Sequence, residues 1–161
     1  MKEISQAEFD AVKNKAVELF RKNKKISSPA FSEIRITPEW FEHIEWKNKN
    51  HKRPIREAYV RYICFLHLIY ILNHSKLYQE FREDTGKVIV KKQGKKILVN
   101  KIVYFYGFIA IVNNDKNRVK IVVRKVDDWD HYEFVSVIPV WKSGWYSGSM
   151  FFEEDMGFLE S

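Results

Sequence analysis

The pattern of apolar residues changes near Asn73, and this change limits the folds open to the chain. Before it, the run YICFLHLIYIL (62–72) is apolar nearly all round, as in a helix packed on every side. After it, segments 87–112, 118–126 and 132–140 are rich in the β-branched and aromatic residues that favour strands. Helices followed by consecutive strands predict an α+β fold.

Helix-start patterns predict three helices in the first half of the chain. The stretch SQAE is a capping box and starts an amphipathic helix over 6–23. The stretch TPE, with threonine as cap and proline first, starts a second helix that is expected to end near Lys47. The third begins at Arg53-Pro54 and ends near Asn73.

Turn residues divide the second half into an antiparallel meander of about four strands, and the helices are expected to pack on one face of it. The turns are Gln93-Gly94, the loop 113–117 and the segment 127–131. Three segments follow: 1–32 as helix and linker, 33–141 as the α+β unit, and 142–161 as an aromatic and acidic tail.

Folding about the 113–117 loop predicts which side chains share a face of the sheet, because strand side chains alternate. This register places Tyr106 opposite Arg124. The second face then combines aromatic, cationic and hydroxyl groups: Tyr104, Tyr106, Phe108, Lys120, Arg124 and Ser136. Such a face suits RNA, because aromatics stack on bases and cations hold phosphates. It is equally interpretable as the solvent side of an ordinary sheet.

The balance of charge predicts an acidic partner. The chain carries 28 basic and 21 acidic side chains, a formal net charge of +7. A field of this sign attracts nucleic acid, anionic membranes or acidic proteins.

Other features favour a cytoplasmic protein that does not enter a membrane. The lone Cys64 forms no internal disulfide and fits a reducing compartment. The apolar run 62–72 is much shorter than the roughly 20 residues needed to cross a bilayer. The first ten residues are polar, unlike a signal peptide. No Cys/His spacing indicates structural zinc, so neither a metal nor a cofactor is predicted.

Two histidines are candidates for proton transfer. On the second predicted helix, His43 falls at the border between the buried stripe and water. His51 lies in KNKNHKR, where neighbouring cations favour the neutral imidazole that can accept a proton. Each histidine is also interpretable as a structural residue. Trp46 falls almost opposite the buried stripe, so either the helix ends before it or its indole is exposed. An exposed indole could stack on a base or be covered by the tail.

Two pieces of the chain, RITPEWFEHIEWKNKNHKRPIREAYVRYICFLHLIYIL and RVKIVVRKVDDWDHYEFVSVIPVW, resemble the Barnase–EndoU–colicin–RelE-like ribonuclease superfamily, in particular its phage-associated branch. The resemblance covers roughly residues 33–141. It implies N-terminal helices packed on a four-stranded antiparallel sheet. It also implies a toxin-type or phage-type endoribonuclease that cleaves RNA by attack of the 2′-hydroxyl on the adjacent phosphate. The motif positions that would be catalytic are His43, His51, Arg124 and Ser136.

In this hypothesis the substrate-binding residues are Tyr106, Lys120, Trp46, Lys52 and Arg53. The resemblance implies tRNA or mRNA as substrate, and a cognate inhibitor protein is a further partner of such an enzyme. The alternative is a non-catalytic basic module that binds nucleic acid or an acidic protein. A third interpretation is an interaction protein that docks a partner through the aromatic tail 142–161.

Overall fold

A computed structural model of the chain describes residues 3–112 and 117–140. Within these ranges the chain forms an α+β fold of four helices and eight strands. In chain order the elements are α1 (Gln6–Lys22), β1 (Lys25–Ser28), β2 (Ser32–Arg35), α2 (Pro38–Glu42), β3 (Trp46–Asn48), β4 (His51–Lys52), α3 (Ile55–Phe65), α4 (Leu68–His74), β5 (Glu80–Lys92), β6 (Lys95–Val112), β7 (Asn117–Val126) and β8 (Tyr132–Val140). The α+β prediction is confirmed.

The main sheet has six strands in the order β1-β2-β8-β7-β6-β5, so the prediction of about four strands is wrong. The predicted antiparallel meander is present as β5 to β8. β1 and β2 extend it, and β2 runs parallel to β8, with Ile34 beside Tyr132. These two strands have four residues each, too few to show an alternating pattern in the sequence.

The helix starts follow the predicted caps, whereas two helix ends differ. Ser5 and Glu8 form the capping box of α1. The Thr37 side chain accepts a hydrogen bond from the backbone of Trp40 at the start of α2. α2 ends at Glu42, because the residues that follow form the two-stranded ribbon β3–β4 instead of a longer helix and a basic loop. The third predicted helix is divided into α3 and α4.

The register between β6 and β7 differs by one residue from the prediction. Tyr106 pairs with Val123, and Arg124 pairs with Phe105. Because side chains alternate along a strand, a one-residue shift in register moves all the side chains that one strand places on a face to the opposite face of the sheet. Tyr106 therefore lies on the face opposite Arg124. The predicted grouping of Tyr104, Tyr106 and Phe108 with Lys120, Arg124 and Ser136 is wrong.

The two faces of the sheet are named here by these residues. The Arg124 face carries Phe105, Gly107, Lys120, Val122, Arg124, Glu133 and Ser136. The Tyr106 face carries Tyr104, Tyr106, Phe108, Ile121, Val123 and Phe134. Residues 119 to 124 of β7 are all buried, so this strand is covered on both faces. The centre of the Arg124 face is therefore buried and not exposed to solvent.

The helices contribute the other half of the core. Phe65 of α3 meets Phe134 of the Tyr106 face edge-on, with ring centroids 5.8 Å apart. Phe9 of α1 contacts Tyr62 of α3 at 5.8 Å. The N-terminal segment thus packs against the α+β unit, and β1 joins its sheet. The predicted tail 142–161 lies outside the described residues. Among those described, no helix has both the length and the apolar composition of a membrane-spanning segment.

Candidate active site

Arg124 contacts two tryptophan rings on its face of the sheet. Its guanidinium carbon lies 4.7 Å from the ring centroid of Trp40 in α2. It lies 5.5 Å from the centroid of Trp129, in the turn before β8. A cation is attracted to the face of an indole, and more strongly where water is excluded. Arg124 is 5% exposed, so these contacts restrict its guanidinium to a narrow range of positions.

Glu133 divides its two carboxylate oxygens between two environments. Oε2 accepts a hydrogen bond from Arg124 Nε at 3.0 Å and lies 3.0 Å from Arg124 Nη2. The same oxygen accepts a hydrogen bond from Trp40 Nε1 at 3.3 Å. Oε1 instead faces Nε2 of His131 at 3.5 Å. One oxygen is therefore an anchor, and the other remains available for proton transfer.

His131 marks the edge where this group of residues reaches solvent. Its side chain is 21% exposed, compared with 9% for Glu133. Its ring stacks on Trp129 with centroids 4.7 Å apart. Its second nitrogen, Nδ1, lies 3.2 Å from Oδ1 of Asp130, whose side chain is 94% exposed. We refer to Arg124, Glu133, His131, Trp40 and Trp129 as the Arg124 cluster.

One side-chain nitrogen of Arg124 takes no part in the contacts with Glu133. Nη1 is buried and has no hydrogen-bond partner among the described residues. Burial lowers the pKa of Arg124, an effect that the charge of Glu133 opposes. An arginine remains protonated at neutral pH all the same. A buried cationic donor without an acceptor is costly, so an anionic oxygen placed here would be stabilised.

Ser136 is held by a second chain of polar contacts. Arg61 Nη1 donates to Ser136 Oγ at 3.1 Å and to the carbonyl of Val137 at 3.3 Å. Arg61 Nε lies 3.5 Å from Glu57 Oε1, which also accepts a hydrogen bond from Arg53 Nη1 at 2.6 Å. The predicted site residues Arg53 and Ser136 are therefore joined through α3. Both are buried.

His43 is buried, with 1% of the residue exposed, and does not lie at the helix border as expected. It follows the last residue of the short α2, so its position is set by the turn into the ribbon. Its Nδ1 lies 2.9 Å from the carbonyl oxygen of Trp46, and a carbonyl only accepts, so Nδ1 carries the proton. Its ring meets Trp40 edge-on at 6.0 Å. Arg53 Nε donates to the His43 carbonyl at 3.2 Å. His43 thus connects the ribbon to the Arg124 cluster.

The ribbon presents the exposed part of the predicted site. Trp46 is 37% exposed, and Lys52 Nζ lies 5.7 Å from its ring centroid. His51 is exposed beside Lys52 on β4. Trp46 also borders a groove of about 470 Å³ between α1 and α2, whose apolar wall includes Phe20 and Phe41. Grooves of this size commonly hold small ligands.

Two predicted substrate-binding residues lie away from the Arg124 cluster. Lys120 shares its face but forms an ion pair with Glu80 of β5. Tyr106 packs within an aromatic group on the other face, 4.7 Å from Phe31 and 4.9 Å from Tyr78 between centroids. Burial raises the pKa of Tyr106 to about 12. The sheet separates Tyr106 from Arg124.

The contacts also bring in residues that the sequence analysis did not select: Trp40, Arg61, Trp129, His131 and Glu133. The helical spacing predicts only that Trp40 belongs to the buried stripe of its helix, and segment 127–131 is predicted only as a turn. For Trp129, His131 and Glu133, the sequence feature that could have identified them is the seven-residue stretch DDWDHYE, which begins three residues after Arg124 and contains an indole, an imidazole and carboxylates.

Comparison of the chain with protein families, with curated proteins and with solved structures finds no match. In the described part of the chain, no group of three or more histidine, cysteine, aspartate or glutamate side chains is placed to hold a metal ion.

Proposed function

We propose that the protein is a metal-independent endoribonuclease that acts at the Arg124 cluster. One observation carries the proposal: a buried arginine with an unpartnered nitrogen lies beside a glutamate–histidine pair at the solvent edge. Cleavage of RNA without a metal needs a base, a cation at the phosphate and a proton donor. The cluster supplies one of each. The net charge of +7 supports a polyanionic substrate.

In the proposed reaction Glu133 Oε1 removes the proton from a ribose 2′-hydroxyl. The 2′-oxygen attacks the adjacent phosphorus and forms a new P–O bond, and the P–O5′ bond breaks. Arg124 Nη1 stabilises the negative charge that develops on the non-bridging oxygens. His131, in its protonated form, donates a proton to the departing O5′. The products are a 2′,3′-cyclic phosphate and a free 5′-hydroxyl.

The residues selected from the sequence take supporting roles in this proposal. His43 and Ser136 are buried and bound by neighbours, so they position the site without touching the RNA. Trp46 and Lys52 are exposed on the ribbon, where a base could stack on the indole and a phosphate could bind the lysine. His51, next to them, would contact the same part of the RNA.

A second candidate function is a binding module without catalysis. It is favoured because several of the candidate site residues are already paired with other side chains of the protein. Two nitrogens of Arg124 face Glu133, Lys120 is paired with Glu80, and Ser136 accepts from Arg61. Such a protein would hold RNA or an acidic protein through the same basic surface and leave it intact.

The test is incubation of labelled RNA with purified protein in EDTA, with analysis of the fragment ends. His131→Ala should abolish cleavage, because it removes the proton donor while leaving the buried residues in place. His74→Ala is the matched control, since His74 is an exposed histidine at the end of α4. His43→Ala and His51→Ala distinguish this assignment from the one based on the sequence.

Fragments with 2′,3′-cyclic ends that are lost in His131→Ala but kept in His74→Ala would support the proposal. Cleavage that survives in His131→Ala and is lost in His51→Ala would move the chemistry to the ribbon. If the wild type binds RNA and leaves every substrate intact, the binding module is the better description.

A further inference from the structure

The strands β5 and β6 continue well beyond the rest of the sheet. β7 pairs with β6 only from Val103 onward, whereas β5 and β6 remain paired from Thr85–Ile102 to Lys92–Lys95. Residues 85–102 therefore form a two-stranded β-ribbon, which we call the β5–β6 arm. Seven steps of about 3.3 Å make it about 23 Å long.

The arm is uniformly basic. Residues 85–102 contain six lysines and no aspartate or glutamate. Lys101 forms an ion pair with Asp128. The other five are exposed, and none of them forms an ion pair with a described residue: Lys87, Lys91, Lys92, Lys95 and Lys96. Five exposed cations without an acidic partner among the described residues therefore lie on one ribbon.

The lysines are concentrated on one face and at the tip. Side chains on one face of the arm are all exposed, and they are Thr85, Lys87, Ile89, Lys91, Lys96, Leu98, Asn100 and Ile102. The opposite face carries Val88, Val90, Ile97 and Val99, which are buried or partly buried. The arm is therefore amphipathic, with a cationic outer surface.

The tip is held by a tight turn. Gln93 and Gly94 both have positive φ, 51° and 76°. Two such residues form the turn whose twist matches a right-handed β-ribbon. The turn places Lys92 and Lys95 directly opposite each other. The cationic tip thus has a defined shape.

We propose that the β5–β6 arm binds the phosphodiester backbone of a nucleic-acid double helix. The major groove of B-form DNA accepts a two-stranded ribbon. Lysine makes point-charge contacts to phosphates and does not read bases in the two-pronged manner of arginine. The outer face has no aromatic side chain for stacking on single-stranded bases. The contact should therefore be independent of sequence.

The composition of the outer face favours a duplex over a membrane surface. Membrane-surface elements combine cations with a broad apolar face that often includes tryptophan or phenylalanine. Here the exposed apolar side chains of the arm face are Ile89, Leu98 and Ile102, none of them aromatic, and Ile89 and Leu98 are opposite each other with Lys87, Lys91 and Lys96 beside them. The proposal assigns a surface separate from the Arg124 cluster and does not require that the protein cleave RNA.

The test compares two variants with the same change in net charge. The arm variant is Lys91→Gln, Lys92→Gln, Lys95→Gln and Lys96→Gln. The matched control replaces four exposed lysines of α1 and its C-terminal side, Lys15, Lys22, Lys24 and Lys25, with glutamine. Fluorescence anisotropy measures binding to a 20-base-pair 2′-O-methyl RNA duplex, which 2′-hydroxyl attack cannot cleave. A DNA duplex of the same length and vesicles of anionic phospholipid complete the set.

The arm variant should bind both duplexes at least about 10-fold more weakly at 0.1 M salt, with a shallower dependence of log Kd on log salt. The affinity of the control variant for both duplexes should fall by less than about 3-fold. Equal losses in the two variants would overturn the proposal, because net charge alone would then explain them. The proposal would also be overturned if the wild type binds no duplex. It would be overturned as well if the arm variant loses affinity for only one of the two duplexes, or if it loses vesicle binding and keeps duplex binding. Because the RNA cannot be cleaved, failure of the proposed nuclease would leave this result unaffected.

Discussion

Arg124 and Glu133 face each other across β7 and β8, with both Nε and Nη2 of the arginine 3.0 Å from a single oxygen of the glutamate. This arrangement leaves one nitrogen of the arginine and one oxygen of the carboxylate outside the pair. These two atoms, Arg124 Nη1 and Glu133 Oε1, are the groups to which the proposed chemistry assigns roles. The ion pair therefore has both a structural and a functional consequence.

Glu133→Gln should destabilise the protein by about 3 kcal/mol, because it leaves the buried Arg124 without its counter-charge. Urea denaturation at pH 7 measures the free energy of unfolding. Glu18→Gln is the control, since it removes a carboxylate from an exposed pair with Lys22 and should give no measurable change. Equal stability of Glu133→Gln and the wild type would show that the ion pair contributes little.

The acid stability of the protein should depend on Glu45. Burial alone would raise the pKa of Glu45, but hydrogen bonds from Lys13 and Tyr62 outweigh it and hold the pKa below its ordinary value of 4.5. A carboxyl whose pKa is lower in the folded state stabilises that state above the unfolded pKa. This stabilisation is lost as the pH falls through the folded pKa.

The free energy of unfolding should therefore fall as the pH decreases below 4.5, and less steeply in Glu45→Gln than in the wild type. Urea titrations between about pH 6 and about pH 3 measure the slope. Glu83→Gln, at an exposed position on β5, serves as the comparison. Parallel curves for Glu45→Gln and the wild type would contradict the assignment.

Gly107 is required for the close contact between β5 and the Arg124 face. A Cβ at this position would lie 3.0 Å from both Cβ and Oε2 of Glu80 and 3.2 Å from Cε of Lys120. Gly107→Ala should cost about 1–3 kcal/mol, because neither the strand nor the buried ion pair can move freely. At Gly86 the nearest atom is a methyl of Val103 at 3.4 Å, so Gly86→Ala should be better tolerated. Thermal unfolding of the two variants tests this difference.

Cys64 should be unreactive in the folded protein. Burial raises the pKa of its thiol to about 11, although the charge of Arg61 opposes the shift. The thiolate is the nucleophile, so iodoacetamide at pH 8 should label less than roughly a tenth of the thiol in the time that labels the unfolded protein fully. Because the chain has one cysteine, mass spectrometry reports this position directly. Rapid labelling of the native protein would show that α3 opens readily.

The sequence was most informative where a pattern is local. The capping box at Ser5, the Thr37 cap and the Gln93-Gly94 turn each depend on neighbouring residues, and each is present as predicted. β8 matches the predicted strand 132–140. A run of mostly β-branched and aromatic residues bounded by turn residues identifies such a strand without knowledge of its neighbours.

The candidate site was predicted less completely, because its contacts depend on how strands align and on Trp40, which is distant in the chain. Arg124 and Ser136 were selected and lie on one face, whereas the partners Trp40 and Glu133 were not. The predicted association of Tyr106 with Arg124 failed because the loop length does not fix the register to within one residue. His51 and Lys52 are exposed on the ribbon as candidates for substrate binding, and their roles remain predictions.

By itself the sequence determined the class of fold, the positions of most helices and strands, and the basic charge that favours an acidic partner. These depend on local propensity, periodicity and composition, which any stretch of chain carries with it. Only the tertiary structure decided the strand register, the burial of His43 and the contacts of Arg124 with Trp40 and Glu133. Trp40 reaches Arg124 and Glu133 from a segment more than 80 residues away. The register and the Arg124–Glu133 ion pair depend on how neighbouring strands align, which no local pattern in the sequence records.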